Sequence, residues 1–344
     1  MKKFIIIFLI IGFIISLYIW YSQSSSPIII GIIGDFSTNN TTESVDAFRA
    51  TELAIIELNE TGRNYSLIRF DLSDYSDKNL LIDDLARQQV EVIIGPTTSS
   101  LYLSNKDVFD QLQLPMFLSN VSTNAISGES DNLFRLVDSV SVQVDAMIHI
   151  IEDLHQEEHI TIFYTSQNSG YSKPFSIDLR DRILQLNGTT SLIEVGDLSD
   201  ASTQKKLKSK LNTDAIVIMA GPSQAGIIAQ LISAGNPEQD IFFPSWAKSD
   251  RTLEYTQSVP NTMYALSSPP SEEEALLQAY IKRLDEIQNV SFNTFSYFGY
   301  ETMYFLDTVL QETDSIELKD IQEYIHNLNS YEGKFNYFEF NDTG

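Results

Sequence analysis

Short apolar stretches alternate with amphipathic stretches along most of the chain. Residues 28–33 form a continuous apolar run that ends at Gly34, a pattern typical of a buried parallel strand. Residues 43–60 then place alanine and leucine side chains along one helical stripe, which Gly62 closes. This strand-then-helix order recurs and predicts an α/β protein.

The same reading predicts ten strands with helices between them. Because one doubly wound sheet usually holds fewer strands, we expect two parallel sheets in two lobes, with the change of lobe near Asp138. The predicted strands are 28–33, 66–71, 92–94, 115–119, 133–137, 160–165, 191–195, 215–220, 241–243 and 263–267. The main predicted helices are 43–60, 81–86, 101–112, 144–154, 175–186, 272–288, 292–311 and 316–328.

The N-terminal segment predicts export. Lys2 and Lys3 precede an apolar run over residues 4–20, whose far end is rich in aromatic side chains. The run is longer than the core of a usual signal peptide and lies at the short end of a membrane span. Two interpretations stay open: an uncleaved signal anchor that holds the domain outside the cell membrane, or a cleaved signal that releases it as a secreted or periplasmic protein.

Composition narrows the function classes. The 344 residues carry a formal net charge of −25, which disfavours binding to nucleic acid. The chain has no cysteine, so a thiol nucleophile, a cysteine-ligated metal and a lipoprotein anchor are excluded. An apolar fraction of 43% is enough for a large core and argues against disorder.

Familiar catalytic motifs are absent from the sequence. The first strand is not followed by G-x-G-x-x-G, and neither a phosphate-binding P-loop nor a G-x-S-x-G elbow occurs. His155 and His159 are four residues apart, but they span a predicted helix end and a strand start, so we interpret them as surface residues. The sequence therefore favours a binding protein over an enzyme, with no cofactor and no metal site.

Four segments carry a family resemblance. Residues 30–37 (IGIIGDFS), 50–62 (ATELAIIELNETG), 92–100 (VIIGPTTSS) and 114–123 (LPMFLSNVST) keep a characteristic order and spacing. They resemble the type I periplasmic binding proteins, in particular the leucine/isoleucine/valine-binding branch of ABC-transporter receptors. The similarity covers about residues 28–344.

The resemblance implies two Rossmann-like lobes with parallel sheets and a ligand cleft between them. After an N-terminal segment and linker over 1–27, lobe I is expected at 28–137 and again at 265–330, and lobe II at 138–264 and 331–344. Relatives continue into one more strand after the F-x-x-x-G at 340–344. Either this sequence is a fragment or its lobe II lacks that strand.

The resemblance also implies where a ligand binds. In open α/β sheets ligands lie beyond the carboxyl ends of the strands, near helix N-termini. The positions that match the carboxylate-binding turn and loop of amino-acid-binding relatives are Ser99, with neighbouring Thr98, Val121 through its backbone, and Thr123. Ser37 belongs to the first loop. Helix capping is the alternative role for Ser99 and for Thr123.

The sequence departs from the amino-acid binders on the other side of the cleft. Relatives carry an aromatic residue in the first loop, where this chain has Glu43 or Ser44. They carry an acid after the strand at 241–243, which pairs with the ligand ammonium, where this chain has residues 244–247 (PSWA) and its nearest acid is Asp250. Trp246 and Tyr171 can line an apolar or stacking pocket, or Trp246 can belong to the core.

The sequence therefore predicts an exported solute-binding protein of an ABC importer. Its ligand is expected to be an amino acid or a related amide or carboxylate, bound by hinge closure, and its protein partners are expected to be permease subunits. The membrane contact is expected through residues 4–20. The alternative is an extracellular sensing or interaction module on the same fold.

Overall fold

The computed structural model describes residues 26–37, 43–128, 132–154, 159–270 and 274–340. The predicted signal segment at residues 4–20 and His155 lie outside these ranges. Within them, no helix combines the length and apolar character that a membrane span needs.

All ten predicted strands are present, with ends that shift by at most two residues. A short hairpin, which the sequence analysis did not predict, follows them among the described residues. The strands are β1 (Ile28–Gly34), β2 (Tyr65–Asp71), β3 (Val92–Ile94), β4 (Met116–Leu118), β5 (Leu133–Arg135), β6 (His159–Thr165), β7 (Thr189–Val195), β8 (Ala215–Met219), β9 (Asp240–Phe243), β10 (Met263–Ala265), β11 (Ser330–Glu332) and β12 (Tyr337–Glu339).

The helices also follow the predicted order. They are α1 (Glu43–Glu60), α2 (Asn79–Arg87), α3 (Ser99–Ser104), α4 (Lys106–Phe109), α5 (Val140–Leu154), α6 (Ser169–Gln185), α7 (Ala201–Lys208), α8 (Pro222–Ser233), α9 (Asp250–Thr256), α10 (Ala275–Arg283), α11 (Thr294–Thr313) and α12 (Leu318–His326). Short 3-10 turns occupy Leu72–Asp74, Asn124–Ile126 and Ser245–Ala247, and a π-helical turn occupies Leu284–Gln288.

Two predicted helices are interrupted. The helix expected over 101–112 divides at Asn105, whose side chain donates to the Leu101 carbonyl at 2.8 Å and so competes with the backbone ladder. The helix expected over 272–288 changes to a π turn and ends at Asn289, which adopts a left-handed conformation with φ of +52°.

Strands β1 to β10 form two parallel sheets of five strands each. The first has the order β2-β1-β3-β4-β5 and the second the order β10-β9-β8-β6-β7. In β1, Ile30 and Ile32 enter one core cluster and Ile33 enters another, because helices cover both faces of the sheet. The predicted class, two α/β lobes with parallel sheets, is confirmed.

The return of the chain after β10 packs on the first sheet. Helix α11 lies against α1 so closely that Gly299 allows no side chain, since a Cβ there would be 2.6 Å from the Ala47 carbonyl oxygen. The hairpin β11–β12 follows, and Tyr331 stacks on Phe305 of α11 with ring centroids 4.9 Å apart. The lobe boundaries expected at 137, 264 and 330 stay predictions.

Candidate functional site between the two sheets

The carboxyl ends of both sheets face each other across a cleft, and residues from the two sides are in contact. In each sheet the strand that comes first in sequence, β1 or β6, has its successor on one side and a later strand on the other, which is the arrangement that opens a crevice at the strand ends. The backbone N–H of Gly170 donates to Ser100 Oγ at 2.8 Å, and Ser100 N–H donates to Asn168 Oδ1 at 3.1 Å. The Thr294 hydroxyl donates to the Ser245 carbonyl at 2.8 Å.

The turn after β3 is built on glycine and hydroxyl groups. Gly95 has φ of +104°, and a Cβ at this position would lie 2.5 Å from the Ile33 carbonyl oxygen, so the turn requires glycine. Thr98, and not Ser99, is the N-cap of α3, because its hydroxyl accepts the Leu101 N–H at 3.2 Å.

Ser99 joins two strand ends. Its buried hydroxyl oxygen accepts the backbone N–H groups of Ser122 at 3.1 Å and Thr123 at 3.2 Å. The Thr123 hydroxyl in turn accepts the Ala125 N–H at 3.3 Å and caps the 3-10 turn that follows. The structure thus places Ser99 beside the backbone that follows Val121, and the role of Ser99, Val121 and Thr123 as ligand contacts stays a prediction.

Ser37 lies away from this group. Its hydroxyl is 2.6 Å from that of Ser73, beyond the end of β2. The first loop instead reaches the turn through Ser44, whose hydroxyl is 2.5 Å from that of Thr97 and accepts the Asp35 N–H at 3.2 Å. Ser44 was one of two residues that the sequence offered for this loop.

Tyr171 and Trp246 form an aromatic wall on the second-lobe side. Their rings meet edge to face with centroids 6.0 Å apart, and both side chains belong to a buried core cluster, which is the alternative that the sequence left open for Trp246. The Tyr171 hydroxyl donates to Gln143 Oε1 at 2.7 Å, and Gln143 Nε2 donates to Ser122 Oγ at 3.0 Å. Burial raises the pKa of Tyr171, so its hydroxyl stays a donor.

Glu43 completes the group from the first lobe. The Trp246 indole N–H donates to Glu43 Oε1 at 3.4 Å, which links the first turn of α1 to the turn after β9. Glu43 is only 6% exposed, and its second oxygen has no hydrogen-bond partner in the described part of the chain. Burial raises the pKa of this carboxyl, against the lowering effect of its own backbone N–H and of Trp246.

Glu43 and Gln143 are the residues that sequence reasoning did not assign to the site. Glu43 carried a signal, since an acid stands where the relatives have an aromatic residue. Gln143 carried none: it is one of several polar residues in α5, and only the fold shows that it spans from Tyr171 to Ser122.

A second acid lies beside Glu43. Asp46 Oδ2 accepts the Asn293 amide N–H at 2.7 Å, and burial together with the nearby Glu43 raises the pKa of Asp46 to about 7. Asn293 is the N-cap of α11 and forms a reciprocal capping box with Ser296. The starts of α1 and α11 therefore meet at this side of the cleft.

A cavity of about 620 Å³ lies to one side of these residues, between α9, β10 and the segment from α10 to α11. Phe243, Tyr264, Ile281 and Phe292 supply much of its apolar wall, and none of the predicted site residues lines it. A smaller cavity of about 340 Å³ opens where α3 meets α6, next to Ser100 and Gly170.

Across the described ranges, no group of three or more histidine and acidic side chains is arranged to hold a metal ion. His159, one of the two histidines considered from sequence, has its ring nitrogens 2.9 Å from Thr189 Oγ1 and 3.0 Å from Ser191 Oγ. These contacts join the His159 ring to two side chains of the neighbouring strand β7.

Comparison with solved structures shows the same fold. The branched-chain amino acid transporter substrate-binding protein LivJ from Streptococcus pneumoniae, solved with isoleucine, has a TM-score of 0.74 at 16% identity over 92% of each chain. A solute-binding protein of an ABC transporter from R. palustris, solved with benzoate, has a TM-score of 0.75 at 14% identity over 92% of this chain and 89% of that one. A fatty acid ABC transporter substrate-binding protein from Thermomonospora curvata gives 0.73 at 16% identity, over 92% and 84%.

The sequence itself carries the family signature. No curated protein sequence is significantly similar to the chain. A family profile described as periplasmic binding protein, however, matches residues 27–342, which is nearly the whole chain. With two parallel five-stranded sheets and a cleft at their carboxyl ends, the chain belongs to the periplasmic binding protein family and has its type I fold.

Proposed function

We propose that this chain is an exported solute-binding protein of an ABC-type importer, which takes a small polar solute into the cleft between its lobes. One observation carries the proposal: polar and aromatic side chains of both lobes form a single connected group at the strand ends. The group runs from Ser99 through Ser122 and Gln143 to Tyr171, then through Trp246 to Glu43.

Such a group suits a protein that binds by closure. A ligand that contacts both sides of the cleft would stabilise the closed form. The cleft offers polar groups that orient a ligand and an aromatic wall that excludes water. We assign it no catalytic role, since it binds and releases its solute unchanged.

The proposed solute class follows the family resemblance. Amino acids and related amides or carboxylates come first, with Ser99, Thr98, Val121 and Thr123 on the carboxylate side. The solved neighbours are named for isoleucine, benzoate and fatty acids, so this fold accepts ligands of different chemistry. The side chains that line the cleft of this chain therefore decide the ligand.

The proposed location is outside the cytoplasmic membrane. Residues 4–20 would hold the protein at the membrane as a signal anchor, or would be removed to release it. In either form the two lobes, with the boundaries expected above, would dock on permease subunits and deliver the solute.

A ligand screen tests this proposal. The domain from residue 26 onward is titrated with amino acids, amides, carboxylates, amines and nucleobases, and thermal shift and equilibrium dialysis are measured. We expect at least one solute to raise the unfolding temperature and to reduce the radius of gyration in solution. If no solute stabilises the protein, the binding function is contradicted. If a solute binds but cells lacking the protein import it normally, the sensing module replaces the transport role.

A further inference from the structure

The side chain of Glu43 contacts the second lobe through only one of its two oxygens. It starts in the first turn of α1, crosses to the second lobe and contacts the indole of Trp246 through Oε1. Oε2 is buried and has no partner among the described residues. Burial favours the neutral form of this carboxyl, and a ligand that brings a hydrogen-bond donor and a positive charge to Oε2 would favour the ionised form.

The charges around Glu43 select the kind of donor. Two further carboxylates, Asp35 and Asp46, act on it, and Arg251 on the exposed face of α9 is the cation that acts against them. Glu43 thus has two acidic neighbours and one basic neighbour, within a chain whose net charge is −25. A cationic group gains from this field, whereas a carboxylate is repelled.

The opposite side of the site has little to offer a carboxylate. The N–H groups of Ser122 and Thr123 are bonded to Ser99 Oγ, and the Ser100 and Leu101 N–H groups are bonded to Asn168 and Thr98. A ligand carboxylate would have to displace these internal acceptors. Nearby, Trp246 and Tyr171 present an aromatic wall, which is a favourable neighbour for an organic cation.

We propose that the cleft selects small organic cations: a protonated amine on an aromatic or apolar body, held by Glu43 of the first lobe against Trp246 and Tyr171, with no need for a carboxylate on the ligand. This inference rests on the proposed binding function and replaces its first solute class, amino acids and carboxylates, with amines. It reverses the order expected from the amino-acid-binding relatives, in which the acid that pairs with the ammonium comes from the other lobe.

A matched set of ligands tests the proposal by calorimetric titration. The set is benzylamine, benzyl alcohol, benzoate and phenylalanine, which carry different polar groups, charged or neutral, on the same phenyl ring. We expect benzylamine to bind at least tenfold more tightly than the other three. In Glu43→Gln, which keeps the size of the side chain and an acceptor for Trp246, we expect benzylamine to lose about tenfold or more in affinity.

Two further variants test whether the selection of benzylamine depends on the Glu43 carboxylate itself or on the charge and aromatic rings around it. Glu60→Gln removes one charge from the exposed end of the same helix and should leave benzylamine binding unchanged. Trp246→Phe keeps an aromatic wall and should retain the preference for benzylamine over benzyl alcohol. Circular dichroism confirms that each variant is folded.

Each other outcome is informative. If phenylalanine or benzoate binds and benzylamine does not, the binding function stands and this inference is overturned. If benzylamine binds equally well to Glu43→Gln, or if only Trp246→Phe abolishes its preference, Glu43 is not the selecting group. If neither these ligands nor the solutes of the broad screen bind, both proposals fail.

Discussion

Gly170 lies in the first turn of α6 and donates its N–H to Ser100 of the other lobe at 2.8 Å. A Cβ at position 170 would lie 3.0 Å from Ser100 N and 2.9 Å from the Leu103 side chain. The absence of a side chain therefore lets the two lobes touch at this face of the cleft.

Gly170→Ala should hold the lobes apart. Overpacking of this kind costs about 1–3 kcal/mol in the closed form, so ligand affinity should fall by about 5- to 150-fold. Small-angle scattering of the unliganded protein should show a larger radius of gyration than the wild type. Gly196→Ala, at an exposed position of the second lobe, is the control. An unchanged radius and affinity would show that the contact does not limit closure.

Ser99→Ala should lower stability more than a surface serine does. The change leaves the buried N–H groups of Ser122 and Thr123 without their acceptor, at a cost of about 1–3 kcal/mol in the free energy of unfolding. Denaturation by urea measures this cost, with the exposed Ser104→Ala on the same helix as control. Equal stability of the two variants would contradict a bridging role for Ser99.

Asp46 should make stability fall as pH rises between about 4 and 7. Burial raises its pKa from 3.8 to about 7 in the folded protein, so in this window the folded state holds a proton that the unfolded state has lost. Unfolding then releases a proton, and a higher pH favours the unfolded state.

Asp46→Asn should flatten this part of the pH profile, because asparagine keeps the acceptor for Asn293 and does not ionise. The unfolding temperature measured from pH 4 to pH 8 tests the difference between variant and wild type. Asp83→Asn at an exposed position is the control. Parallel profiles for wild type and Asp46→Asn would show that Asp46 does not titrate in this window.

Gly299→Ala distinguishes helix propensity from packing. Propensity alone predicts about 1 kcal/mol of stabilisation when alanine replaces glycine within a helix. The Cβ of an alanine at this position would lie 2.6 Å from the Ala47 carbonyl oxygen, so α1 and α11 would have to move apart. Packing therefore predicts a loss of about 1–3 kcal/mol in the free energy of unfolding. Chemical denaturation gives the sign of the change in the free energy of unfolding. A stabilised variant would show that α1 and α11 leave room for a methyl group at position 299.

Much of the fold could be predicted because buried parallel strands leave a clear pattern. The run at 28–33 is apolar throughout, since helices cover both faces of β1, and its bounds were predicted to within a residue. The break at Asn105 and the hairpin β11–β12 could not be predicted in this way. The first depends on one side-chain hydrogen bond, and the second on aromatic packing against α11, over strands of only three residues.

The site was harder to predict than the fold. Sequence placed Ser99 and Thr123 at the right strand ends, because the turn after β3 has a recognisable composition. It could not show that Ser99 already occupies the two N–H groups that a carboxylate would need. Nor could it show that Glu43 meets Trp246, because 203 positions separate them and they follow strands of different sheets.

The contact of Trp246 with Glu43 gives the protein an internal optical reporter. The sequence has two tryptophans, Trp20 and Trp246, so the domain from residue 26 onward carries one indole. That indole lies at the cleft, and its polar N–H faces a carboxylate of the other lobe. Opening of the lobes would admit water to the ring and shift its emission to longer wavelength, while a solute that displaces the carboxylate contact would change its intensity. Lobe motion can therefore be followed in the unlabelled protein, at the residue that defines the site.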